Sequence, residues 1–162
     1  TVMSNMGLEK YLLNNHNIKL KRSSVGDINV IQKMSKFNSK LGGEQSGHII
    51  LSDFSKTGDG ILAALKVTEI ISKNNQTASK TFDLYESFPQ IKVNIPYKKI
   101  SKSNLKYIQN INNKNLIEKN FRFLIRISGT EPLIRILVEG KDIKKVQEYS
   151  KKLELNIRSK IE

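Results

Sequence analysis

The residues predict an α/β layer over the first half of the chain, followed by a small α+β domain. Three observations predict it. Apolar residues at helical spacing alternate with short apolar runs and glycine turns from the first residues to about Ser72. A polar stretch breaks this pattern between about Asn74 and Pro89. Beyond it, residues that alternate at the period of a strand are flanked by helical stretches. The chain divides accordingly into a first domain at 1–80, a linker at 81–90 and a second domain at 91–162.

Taken in order, Thr1-Val2-Met3 reads as a strand already under way, which implies that part of the first sheet lies outside the chain. Ser4 or Asn5 can cap a helix carrying Met6, Tyr11 and Leu12 up to a stop at Asn14-Asn15, and a short strand follows at Ile18 to Lys21. Asp27 can cap a second helix whose stripe is Ile28, Ile31, Met34 and Phe37, ending at Gly42-Gly43. Ile49-Ile50-Leu51 reads as a buried strand. Thr57-Gly58-Asp59-Gly60 opens a helix in which Ile61, Leu62, Leu65 and Ile71 keep the period. A short helix is expected around Asp83-Leu84-Tyr85. Ile91, Val93 and Ile95 then alternate as a strand, Ser103 can cap a helix, and Phe121 to Ile127 with Leu133 to Val138 form two strands joined by a tight turn. A helix from about Asp142 to Ile161 closes the pattern, and no internal repeat is visible.

Composition excludes several classes. At 162 residues and 38% hydrophobic content the chain can bury a core. No apolar run approaches the roughly 20 residues that cross a bilayer, and no signal-peptide pattern opens the sequence, so a cytoplasmic protein is expected. Without cysteine there is neither a disulfide framework nor a thiolate site. The net charge of +13 suggests polyanion binding, but the excess is mostly Lys scattered among Asn and Ile, and no basic run is interleaved with stacking aromatics. Nucleic acid is therefore not expected as a partner, and neither is a membrane. A basic nucleic-acid-binding module stands as an alternative, and a positive field also draws in small anions.

Two constellations can carry chemistry. In Leu41 to His48, glycines let a ligand approach the backbone while Glu44, Ser46 and His48 can face the same space. A carboxylate and a hydroxyl suit vicinal sugar hydroxyls, and a histidine can donate to a phosphate or move a proton. The competing reading is a glycine hairpin in which Glu44 caps an end and His48 enters the next strand. In Arg126 to Pro132, Arg126 offers a rigid fork, Ser128 and Thr130 offer hydroxyls, and Gly129 frees backbone N–H groups to form an anion nest. That set suits a phosphate monoester; otherwise it is a polar turn containing an arginine. Glu131 either orients Arg126 or caps the turn, and Arg135 reads as a paired strand charge. Asp27 and Asp59 read first as helix caps, and Thr57 to Gly60 lacks the closely spaced carboxylates that a hard cation needs.

Together with Thr1 to Asn5, Gly7-Leu8-Glu9, Val25-Gly26-Asp27, Thr57 to Leu65 and Arg126 to Gly140, these segments resemble the α-D-phosphohexomutase superfamily. Gly43-Glu44-Gln45-Ser46-Gly47-His48 is most similar to its glucosamine branch. The resemblance implies part of the family's domain 3 followed by all of domain 4. It implies that Glu44 and Ser46 bind sugar hydroxyls, that His48 lies near the substrate phosphate, and that Arg126, Ser128, Gly129 and Thr130 hold the phosphate that is not transferred. It also implies an isomerase of amino-sugar metabolism, supplying cell-wall precursor synthesis. Such an enzyme interconverts glucosamine 6-phosphate and glucosamine 1-phosphate through a phosphoserine and glucosamine 1,6-bisphosphate, with magnesium.

Two departures qualify it. Ile28-Asn29 stands where the family usually has Arg-Tyr, which removes a basic residue near the site. The family's phosphorylatable serine segment and its magnesium loop are not among these residues, so no catalytic or metal residue is assigned here and the isolated chain is expected to be inactive. Its partners would be a sugar phosphate and the N-terminal domains, in cis or in trans. A non-catalytic sugar-phosphate-binding remnant is the other alternative.

Overall fold

The computed structural model describes residues 1–113 and 120–161. It forms two units, Thr1–Ser87 and Phe88–Glu162.

In the first unit, α1 (Met6–His16) starts where the Asn5 side chain accepts the Gly7 N–H at 2.8 Å. It ends at Asn17, in a left-handed conformation with φ 54°, and not at Asn14-Asn15. Asn38 and Asn75 end α2 (Asp27–Phe37) and α3 (Gly60–Asn74) in the same way, since asparagine tolerates this conformation better than other residues with a Cβ. The expected stop at Gly42-Gly43 is thus four residues late. Those glycines lie in β1 (Leu41–Gly43), which pairs antiparallel with β2 (Ile49–Leu51). A Cβ on Gly42 would run into Met34 and Val30, so the glycine is what lets β1 rest on α2. Gly26, not Asp27, is the cap residue of α2; Asp27 turns back to accept the N–H of Ile28. Asp59 caps α3 by accepting the Leu62 N–H at 2.9 Å.

Two expected elements are absent and a third is displaced. Thr1–Met3 is a turn closed by the Ser4 N–H on the Thr1 carbonyl, not a strand. Ile18 to Lys21 is not a strand either, because the Ile18 N–H is spent on the Leu12 carbonyl in closing α1. The short helix lies at α4 (Ala78–Phe82), ahead of Asp83-Leu84-Tyr85, because Thr77 caps it. The core of this unit is small: Val30, Met34 and Ile50, with Ile31 against them. No residue of α3 is buried, and its Ile61 is 77% exposed.

The second unit is built on a three-stranded antiparallel sheet in the order β3 (Gln90–Pro96), β5 (Leu133–Gly140), β4 (Phe121–Ile127). Alternation sends Ile91, Val93 and Ile95, then Phe121, Phe123, Ile125 and Ile127, then Ile134, Ile136 and Val138 to one face. There α5 (Lys102–Asn113) and α6 (Ile143–Ile161) cover them with Ile108, Val146, Leu153 and Ile157. Ser101, not Ser103, caps α5 by accepting the Asn104 N–H, and Asp142 accepts the N–H groups of Lys144 and Lys145 ahead of α6. Among the described residues no helix is long and apolar enough to cross a membrane.

On the other face of the sheet, Gln90, Glu139 and Arg122 form one row across the three strands. Glu139, at 0% exposure, accepts Nε and Nη2 of Arg122 at 2.8 and 2.6 Å and the Gln90 amide at 2.9 Å. A buried carboxylate is tolerable only with such partners, and removing one side of the pair strands the other. Glu139→Ala is therefore expected to cost about 3–5 kcal/mol in urea unfolding of this unit; a loss under about 1 kcal/mol would show the pair to be incidental.

On the exposed side of α3, the Glu69 carboxyl is lowered from 4.5 to about 2, first by the hydrogen bond from Lys73 (2.6 Å) and then by that from Lys66 (2.9 Å). A depressed carboxyl stabilises the folded form above its ordinary pKa and loses that effect as protons return. The contribution to α3 is thus present at neutral pH and is lost as pH falls from about 4.5 to about 2. A carbon-detected titration should place Glu69 at the low end of that window, and Lys73→Met should move it back up.

Candidate functional site

The first candidate loop, Glu44 to His48, is the connection between β1 and β2. The Glu44 N–H donates to the His48 carbonyl at 2.9 Å, and the Gly47 N–H to the Glu44 carbonyl at 3.0 Å, with Gly47 at φ 100°. Only a residue without a Cβ adopts that φ freely. A Cβ on Gly43 would strike the His48 carbonyl, so the base of the loop is as tight as its tip. The Glu44 carboxylate accepts the N–H of Gly26 at 3.1 Å through one oxygen, where α2 begins. This brings Val25-Gly26-Asp27 beside the loop, which the linear sequence cannot show.

Ser46 and His48 are exposed. The imidazole edge of His48, Cδ2 and Nε2, lies where a Cβ of Gly58 would stand. Thr57 to Gly60 thus backs the histidine. The fold brings Glu44, Ser46 and His48 onto one loop, with the Gly26 N–H holding Glu44 and Gly58 leaving room for the His48 ring.

The second candidate loop joins β4 to β5. The Ser128 N–H donates to the Leu133 carbonyl at 2.8 Å, and the Leu133 N–H to the Glu131 carbonyl at 2.7 Å, closing a loop with Gly129, Thr130, Glu131 and Pro132 exposed at its tip. Among the described residues no acceptor meets the N–H groups of Gly129, Thr130 and Glu131, and no carboxylate pairs with Arg126. Ser128 is buried at the neck of the loop.

Arg135, read from the sequence as a paired strand charge, is paired in the fold. Strand register sets it directly across from Arg126, on the face away from the core. Glu131 pairs with Arg135 and not with Arg126. The strand alternation of both segments held this information, but the pairing could be read only once the loop length was known.

A cavity of about 590 Å³ lies at the end of β3, lined by Pro96, Tyr97, Lys98, Lys99, Arg158 and Ile161. It is adjacent to the second loop, since the Tyr97 N–H donates to the Pro132 carbonyl at 3.1 Å, but neither candidate loop lines it. Among the described residues no three His, Asp or Glu side chains gather where a metal ion could be held.

Replacing Gly58 with alanine tests the packing of the histidine. The added methyl group should push the exposed His48 ring aside, which imidazole spectra would report, while costing less than about 1 kcal/mol, since the ring can swing into solvent. Gly60→Ala, whose Cβ would meet nothing within 4 Å, should leave the ring in place.

Comparison with known proteins identifies the family. Residues 1–88 match the family description "Phosphoglucomutase/phosphomannomutase, alpha/beta/alpha domain III", and residues 87–155 match the "C-terminal domain" of the same family. A phosphoglucosamine mutase of Nautilia profundicola is 44% identical over 99% of this chain, which spans 36% of that protein. Among solved structures, a phosphoglucomutase/phosphomannomutase family protein of Burkholderia thailandensis matches with a TM-score of 0.75 at 15% identity, covering 98% of this chain and 36% of that one. An Aspergillus fumigatus N-acetylphosphoglucosamine mutase in complex with GlcNAc-6P and magnesium matches with a TM-score of 0.66 at 14% identity, covering 94% of this chain and 39% of that one. At such identities the structural likeness is one of fold. The chain spans about a third of the length of the curated relative it matches. With both family domains matched in order, and the first alone covering more than half of its residues, the chain belongs to the phosphoglucomutase/phosphomannomutase family, the α-D-phosphohexomutases.

Proposed function

We propose that this chain supplies sugar and phosphate recognition to a phosphoglucosamine mutase, an isomerase that interconverts glucosamine 6-phosphate and glucosamine 1-phosphate through a bisphosphate. The observation that carries the reading is that one loop and the strand leading into it carry a guanidinium, Arg126, with no carboxylate partner and three consecutive backbone N–H groups, at Gly129, Thr130 and Glu131, with no acceptor among the described residues. Such a loop holds an oxyanion through donors fixed by the backbone, so little has to rearrange when the anion arrives. Arg135, across the strand pair from Arg126, widens the cationic surface.

Donors of this kind read a phosphate and not the sugar that bears it. A loop that must hold phosphate at either end of a bisphosphate needs that tolerance, while discrimination of the sugar falls to Glu44, Ser46 and His48. Glu44 suits the task because one carboxylate oxygen is anchored on the Gly26 N–H and the other remains to accept a sugar hydroxyl. The phosphoserine and the magnesium of the whole enzyme would be contributed by N-terminal domains, which together with sugar phosphate are the partners of this chain. Magnesium, when bound there, would offset charge on the moving phosphoryl group.

Titration with glucosamine 6-phosphate, followed by amide shifts, tests this. The Gly129 and Thr130 amides should move, and Arg126→Ala should weaken the response by about 10- to 100-fold, the worth of a hydrogen-bonded charge. Amides that stay still at Gly129 and Thr130 would overturn the phosphate loop. The isolated chain should show no mutase turnover.

A further inference from the structure

We infer that Glu131 is a resident counterion of the phosphate loop, exchanged for the incoming phosphate at Arg135. The inference rests on the reading of the loop above and adds a residue that competes with the ligand.

Register places Arg126 and Arg135 directly opposite one another on the same sheet face, an arrangement that like charges disfavour. The unliganded fold relieves it with one carboxylate: Glu131 reaches Nη2 of Arg135 from four residues back along the chain. The quality of that pair sets it apart from the other two arginine pairs of the unit. Arg122 gives both Nε and Nη2 to the fully buried Glu139, at 2.8 and 2.6 Å. Arg158 gives Nε and Nη2 to Glu154, at 2.9 and 2.8 Å. Arg135 uses one edge only, and its Nε is buried without any partner.

A guanidinium fork whose Nε is buried and unsatisfied is short of one oxyanion contact. Glu131 cannot supply it while the carboxylate stays where it is, and at 53% side-chain exposure it returns to water at little cost. Its own backbone N–H is one of the three without an acceptor. A phosphate drawn to Gly129, Thr130 and Glu131 would therefore arrive beside a carboxylate of like charge, and the two anions would compete for one cation. Phosphate carries the greater charge and brings more acceptor oxygens, so it displaces the side chain. Glu131 thus acts as a positioning residue: it keeps the arginine pair tolerable while the loop is empty and weakens the hold on phosphate by a fixed factor.

The test is titration of the full chain with inorganic phosphate at low ionic strength, read from the Gly129 and Thr130 amides. Glu131→Gln, which keeps shape and removes charge, should tighten binding by about 3- to 10-fold, and Glu131→Ala should change it in the same direction. Glu148→Gln, an equal change of charge on the exposed side of α6, should alter it by less than about 2-fold. In the unsubstituted chain the Glu131 carboxyl resonance should move as phosphate saturates. Unchanged or weaker binding in Glu131→Gln overturns the exchange, as does equal tightening by Glu148→Gln, which would mark a general field effect. Arg126→Ala separates the two levels of the argument: if it weakens binding while Glu131→Gln does nothing, the loop reading stands and the exchange falls. If phosphate binds no variant, both fall.

Discussion

The antiparallel register of β4 against β5 is the constraint on which the second unit depends. It opposes Ile125 to Ile136 and Phe123 to Val138 on the core side, and in the same stroke opposes Arg126 to Arg135 and Arg122 to Glu139 on the other. A slip of one residue would turn the apolar set out and bury the arginines, so hydrophobic burial under α5 and α6 holds the charged face in place. The loop from Ser128 to Leu133 is closed by that register as well, through the Ser128 N–H on the Leu133 carbonyl. Gly129, Thr130, Glu131 and Pro132 at its tip are exposed.

The first unit solves a different problem with glycine. Its hairpin is short, and each strand has only three residues, so close approach substitutes for sheet area. Gly42 lets β1 rest on α2, Gly43 lets the loop fold back on His48, and Gly58 makes room for the imidazole. Polar contacts then orient what the glycines admit, as the Gly26 N–H does for Glu44. The contrast with the second unit is in the core: three buried apolar side chains in one case against a cluster of ten in the other. Precision in the first loop comes from the backbone, and in the second from packing.

Sequence patterning was most informative where a physical period runs long enough to average out local preference. The strands at Ile91 to Ile95 and Phe121 to Ile127 and the helix ending at Ile161 follow their apolar spacing closely. It failed at boundaries and in short runs. Asn17 and Asn38 end helices because their side chains tolerate a left-handed backbone, a property that competes with many other uses of asparagine in so asparagine-rich a chain. Ile18 to Lys21 has the composition of a strand, but the Ile18 N–H goes to the Leu12 carbonyl. Thr77, not the residues after Phe82, decided where the short helix lies.

The residues alone marked groups suited to an anion, a glycine flanked by hydroxyls after an arginine, and they determined the family through motifs kept in order. The tertiary structure alone decided which cations are free. Glu131 lies five residues from Arg126 and four from Arg135, a difference too small for spacing to resolve. Only the folded loop brings the carboxylate to one guanidinium and leaves the other bare, because pairing between strands is set by burial on the far side of the sheet and not by the charges themselves.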